Sequence, residues 1–205
     1  MEEITHEKLK KIKQSFRLYM SGPTAHSMGQ KGVSYKINWG VPLPELQKMA
    51  VEYGKDEALA LALWQENIRE CKILATLIMP VKSLTDELLE AWGEQVNSQE
   101  MAELLAFNLL QYWERSPQLA YKWMVADNEM MQIMAYQLLA RLFVNGHIPT
   151  DADAQEYLSS IVAALKCKHV GVRHAATNSL YRFMDLGEDY QERADIILQR
   201  LDGIL

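Results

Sequence analysis

At 205 residues with 49% apolar side chains, the chain can form one large domain or two small ones and is too hydrophobic for wholesale disorder. Its net charge of −6 argues against the broad basic footprint of a typical nucleic-acid binder, and its longest apolar run, residues 73–81, is far too short to span a bilayer. The acidity is uneven: residues 1–56 carry nine Lys/Arg against six Asp/Glu, and residues 57–205 carry twelve against twenty-one, so a basic arm able to hold a polyanion precedes an acidic body.

In chain order, residues 4–20 place Ile4, Leu9, Ile12, Phe16 and Tyr19 at helical intervals, with lysines on the other side. Residues 21–42 form the one long irregular stretch, holding four of the ten glycines and two of the six prolines. Residues 44–54 predict a helix with Pro44 in its first turn and Gly54 at its exit. Two further helical segments, 56–67 and 68–79, follow.

Beyond them the pattern is paired: 84–95 with 98–113, 117–126 with 128–145, 151–166 with 170–185, and a last helix over 188–202. The short connections make neighbours antiparallel. Pairs begin near residues 56, 84, 117 and 151, a repeat of roughly thirty residues expected of stacked helical hairpins. "VGVRHAATNSLYRF" (170–183) carries the Val-Arg-x-Ala-Ala core of HEAT-type second helices. The expected fold is an all-α curved solenoid of antiparallel HEAT-like helix pairs, a single domain over 1–205, with 1–42 an N-terminal helix and Gly-rich segment and 43–205 the stacked pairs. In such a stack the second helices line one concave side, while Trp64, Trp92, Trp113, Trp123 and the Met-rich stretch 129–139 fill the core.

Chemistry-bearing motifs are few. No Gly-rich phosphate loop is present, and the histidines make no i, i+4 metal pair. Cys167 two residues before His169 is a weak metal signal, and a buried thiol with an exposed turn histidine is by far the better account of the pair. No metal or cofactor is expected. Cys71 and Cys167 lack the spacing of a disulfide framework, and "MEEITHEKLKK" lacks the apolar core of a signal peptide. A soluble cytoplasmic protein with reduced thiols is the expectation.

Three stretches carry a resemblance. "SMGQKGVSYKINWGVPLPELQKMA" (27–50) resembles the amino-terminal segment of the DNA alkylation repair family, the HEAT-like alkylpurine DNA glycosylases. "ENIRECKILATLIM" (66–79) is similar to that family's next signature, an Arg-Glu pair opening a second helix. "VNSQEMAELL" (96–105) falls where the family has its Asn-x-Trp-Asp-x-x-Asp stretch. The resemblance implies a solenoid that binds duplex DNA in a positively charged groove and removes a cationic alkylated purine without flipping it into a pocket. In the family, tryptophans contact the deoxyribose, and an aspartate stabilises the developing sugar cation and positions water, as preorganised electrostatics requires.

Carried over residue by residue, the family's tryptophan position falls on Gln99 and its catalytic aspartate on Glu103. The later tryptophan and paired arginines fall on Met130, Gln132 and Ile133, and the last tryptophan on Asn178. The carboxylate survives, one methylene longer; the aromatic walls and arginines do not. Gln99 and Glu103 share a helix face. Yet an N-cap Asn97 with Glu100 three residues on, forming a capping box, accounts for the same stretch as an ordinary helix start.

Phosphate contacts are expected from Lys31 and Lys36 in the Gly-rich stretch, Arg69 and Lys72 on a second helix, Gln99, and Arg173, with His174 a weaker addition. A solvated face or an internal salt bridge explains the same cations. Glu70, Glu103 and Glu129 would repel phosphate from the concave helices. Three functional expectations follow. The first is a protein binding duplex or damaged DNA moderately or weakly, with glycosylase activity weak, altered or lost. The second is an active glycosylase using Glu103, and the third a HEAT-like scaffold with a protein partner. No membrane association is expected.

Overall fold

A computed structural model describes residues 2–202. They form twelve α-helices and no β-strand among the described residues, and the chain divides into two compact units, residues 1–85 and 86–205.

The first unit holds α1 (Glu2–Ser15), α2 (Gly22–Gln30), α3 (Leu43–Tyr53), α4 (Glu57–Gln65) and α5 (Arg69–Ile78). On α1, Leu9 and Ile12 turn inward, joined by Phe16 in the 3-10 turn Phe16–Leu18 that ends the helix. Ion pairs bracket α4 against it: Lys8 reaches Asp56, the N-cap of α4, at 2.6 Å, and Lys13 reaches Glu66, its C-cap, at 2.9 Å. The segment expected to be irregular contains α2. Ser21 caps this helix by accepting from the Thr24 N–H at 3.4 Å, and Pro23 sits in its first turn, where a missing N–H costs nothing. Two contacts hold its start: the Ser21 N–H donates to the Trp39 carbonyl at 2.9 Å, and Gly40, at φ 67°, lies so close that a Cβ there would stand 2.4 Å from the Ser21 carbonyl oxygen. Only glycine fits that crossing.

Helix α5 is buried along nearly its whole length. Residues 36–41 are laced onto its beginning. Ile37 and Ile68 form an isolated parallel bridge, with the Ile37 N–H donating to Asn67 O and the Arg69 N–H to Ile37 O, each at 3.2 Å.

The second unit holds α6 (Asp86–Glu94), α7 (Gln99–Asn108), α8 (Ser116–Met124), α9 (Glu129–Val144), α10 (Asp151–Leu165), α11 (Val170–Met184) and α12 (Glu188–Asp202). Helix α9 is its spine, packed against α7, α8 and α11 and apolar on most of its circumference. Phe143, Tyr157, Phe183 and Tyr190, one each from α9 to α12, meet edge-on or tilted at centroid distances of 4.9–5.6 Å, and the Tyr157 hydroxyl satisfies itself on Ser179 at 2.9 Å. Trp64, Trp92, Trp113 and Trp123 are all buried, as helical spacing implied. Helix 98–113 stops earlier than expected: Leu109 leaves helical geometry at φ −134°, and a 3-10 turn, Leu110–Tyr112, follows. None of the described helices is long and apolar enough to cross a membrane.

Candidate nucleic-acid interface

In the second unit, α7 and α11 flank α9, and the residues lining a cleft of about 580 Å³ include from each of the three helices a pair of side chains one turn apart. The pairs are Glu103 and Phe107, Gln137 and Arg141, Asn178 and Arg182. Residues four apart stack on a helix, so the pairs form two rows across the helices. The first row is polar. Glu103 Oε1 accepts from Gln99 Nε2 at 2.8 Å and from Gln137 Nε2 at 3.4 Å, and Gln137 Oε1 accepts from Asn178 Nδ2 at 3.5 Å.

The second row holds two guanidinium groups. Arg141 lies 4.5 Å over the Phe107 ring, and its Nε donates to Gln111 Oε1 at 3.4 Å. The same oxygen accepts from Asn145 Nδ2 at 3.1 Å, which steadies Gln111 as a support for the arginine. Arg182 pairs with Asp185 at 3.1 Å across solvent, a contact worth about 0–1 kcal/mol and easily exchanged for a ligand. The result is a half-buried carboxylate in the first row and two cations in the second, each one turn further along its own helix than its first-row neighbour. A carboxylate stabilises a developing cation, and guanidinium forks suit phosphate oxygens.

Local sequence explains how the first row is held. Ser98, not Asn97, is the N-cap of α7, accepting from the Met101 N–H at 3.3 Å. The third helical position is then Met101, which cannot return the bond, so the expected Asn97–Glu100 capping box does not form; Thr150 and Asp153 make one instead, at α10. Gly171 brings the start of α11 close. A Cβ there would lie 2.9 Å from Ile133 Cδ1 and 3.1 Å from Gln99 Oε1.

The other expected contacts fall elsewhere. Arg173 donates to the carbonyls of Cys167 and Lys168 at 2.6 and 2.9 Å, fastening the α10–α11 turn rather than pairing with an acid. His174 is exposed on α11. His169 caps α11, its Nδ1 accepting from the Val172 N–H at 3.4 Å. Where the resemblance places a tryptophan and arginines, Ile133 is fully buried, Gln132 donates to Ala126 O at 2.7 Å and Met130 is half-buried. Glu129 is exposed at the start of α9. No group of three or more His, Cys, Asp or Glu placed to hold a metal occurs among the described residues.

In the first unit, Lys31 ends α2 and is exposed, as is Lys36. Arg69 and Lys72 are buried, which takes them off the surface a phosphate can reach. Arg69 Nη1 donates to Val41 O at 3.1 Å and pairs with Glu70 at 3.2 Å. Glu70, expected to face the groove, is fully buried too. Its two carboxylate oxygens accept from the Trp39 and Val41 N–H groups, each at 3.2 Å. The Arg-Glu signature therefore ties the 36–41 segment to α5. Lys72 donates to Trp64 O at 3.0 Å and sits 4.3 Å from the Trp64 ring centre; burial pushes its pKa down from 10.5 to about 8. Gln137, Arg141 and Arg182 escaped sequence reasoning, because a solitary polar pair on each helix gains meaning only when three helices align.

Helical hairpins whose alternate members α7, α9 and α11 set polar side chains in rows across one face are the arrangement of a HEAT-like repeat. The match of residues 12–184 to the DNA alkylation repair enzyme family model places this chain in that family. One solved structure, described as a new family of proteins related to the HEAT-like repeat DNA glycosylases with affinity for branched DNA structures, superposes with a TM-score of 0.82. It is 14% identical, over 94% of this chain and 83% of that one, and so shows a common fold. No curated protein matches the chain.

Proposed function

We propose that this protein binds DNA through the face formed by α7, α9 and α11, and that base excision is weak, altered or lost. The observation that carries the reading is the ladder itself: Arg141 and Arg182, in the second row, line a single cleft with Glu103 of the first row, in a chain belonging to a DNA repair family. The arginines supply phosphate contacts in place of those missing at Gln132 and Ile133. The structural relative is described as having affinity for branched DNA, and we extend that preference to this chain.

Attenuated excision follows from what surrounds the carboxylate. Gln99 and Asn178 replace aromatic walls with amides, and both side chains are engaged in the ladder with Glu103 and Gln137. Such a site holds a sugar less firmly against the carboxylate, and misplacement alone is costly to catalysis. Glu103 does line an open cleft, which favours a second reading in which some base release persists. Incubation with DNA containing a cationic methylpurine separates the two: the first reading expects no release above background. Release abolished by Glu103→Gln would establish the second. Binding is tested by anisotropy with linear and branched DNA. Log affinity should fall by about 0.9 per phosphate neutralised for each decade of salt, and absence of binding removes both readings.

A further inference from the structure

The first unit has its own cleft, of 610 Å³, between α1, the 36–39 segment and the α4–α5 turn. Its charge is unlike that of the chain as a whole. Lys10, Lys13, Arg17 and Lys36 line it against a single carboxylate, Glu66, which Lys13 already holds at 2.9 Å. The arrangement follows from helical geometry. Leu9, Ile12 and Phe16 turn one face of the first helical segment into the core, so Lys10, Lys13 and Arg17 share the neighbouring face. Lys36 is brought to the opposite wall by its backbone, whose N–H donates to Asn67 Oδ1 at 3.2 Å, next to the Ile37–Ile68 bridge.

We infer that this cleft is a subsite for the phosphodiester backbone of a nucleic-acid strand. The inference rests on the DNA-binding reading above and adds a surface that shares no residue with the α7–α9–α11 face. Spacing favours a strand over a single anion. Lys10 and Arg17 are seven residues apart, about 10 Å along a helix, which spans about three phosphates at the ~3.4 Å axial spacing of one strand. Trp39 forms part of the wall, with the Arg17 guanidinium 5.8 Å from its ring centre, and offers the aromatic surface on which bases or sugars pack. Its indole Nε1–H is buried without an acceptor, which makes its resonance a local reporter.

The test compares wild type with Lys10→Ala/Arg17→Ala/Lys36→Ala. All three positions are exposed, and Lys13 is kept because it holds Glu66. Affinity for a three-way junction and a linear duplex is read by anisotropy across a salt series, with thermal melts to establish folding. The triple variant should bind at least tenfold more weakly and lose about 2–3 from the salt slope, at about 0.9 per contact. In wild type, junction DNA should shift the Trp39 indole N–H signal. Unchanged affinity and slope in a folded triple variant, with wild type binding normally, overturns this inference and leaves the DNA reading intact. A wild type that binds no DNA overturns both. A Trp39 signal moved by poly-glutamate and not by DNA overturns it in favour of an acidic protein ligand.

Discussion

Glu70→Ala offers a demanding stability test. The carboxylate is fully buried and serves three donors: the N–H groups of Trp39 and Val41, and Arg69 Nη1. Truncation strips two backbone N–H groups of their acceptor and removes the Glu70 carboxylate from the buried Arg69. Breaking a buried ion pair costs about 3–5 kcal/mol, most of it from the charge left behind. The orphaned N–H groups add about 1–3 kcal/mol each unless water reaches them, so a loss of at least about 4 kcal/mol is expected. Urea unfolding of wild type and variant measures the difference. Amide exchange should show protection lost first at Trp39 and Val41. A double-mutant cycle with Arg69→Met should give a coupling of about 1.5–3 kcal/mol. A cost below about 1 kcal/mol, with those amides still protected, would refute the claim that the Arg69–Glu70 pair anchors the 36–41 segment.

Lys72 predicts a pH dependence. Its folded pKa, pushed down by burial to about 8, lies below the unfolded value near 10.5, so the unfolded state binds more protons between them. The folded state is penalised below pH 8, and stability contributed by this group rises from about pH 8 to 10.5. Lys72→Met should flatten the stability–pH slope in that window, and an unchanged slope would contradict the burial argument. Gly40→Ala should destabilise by about 2–4 kcal/mol in thermal melts, because φ 67° and the Ser21 backbone oxygen both oppose a Cβ. Cys71 is buried with its thiol pKa raised by desolvation, whereas Cys167 is partly exposed, so a thiol reagent should label Cys167 first and Cys71 only on unfolding.

Much of the helical framework was legible from periodicity alone, because each helix needs an apolar stripe to bury. The boundaries at Gly54 and at Asp56, which accepts from the Leu59 N–H at 3.0 Å, follow local capping chemistry. Helix α2 was not legible. It buries none of its own residues and depends on Ser21 and on docking against Gly40, a contact made nineteen residues away in sequence. Charge misled at Arg69 and Lys72, since a cation is ordinarily exposed and each here is offset by partners only the fold supplies. At the candidate interface, Gln99 and Glu103 were found because both lie on one helix. Gln137, Arg141, Asn178 and Arg182 come together with them through inter-helix register, which no single-helix pattern encodes.

The proposal that DNA lies on the α7–α9–α11 face is tested most directly by the affinity of Arg141→Ala/Arg182→Ala for branched and linear DNA as salt is varied. Loss of two phosphate contacts should weaken binding about tenfold or more and reduce the log–log salt slope by about 1.8. A folded double variant with wild-type affinity and slope would show that DNA does not occupy this face.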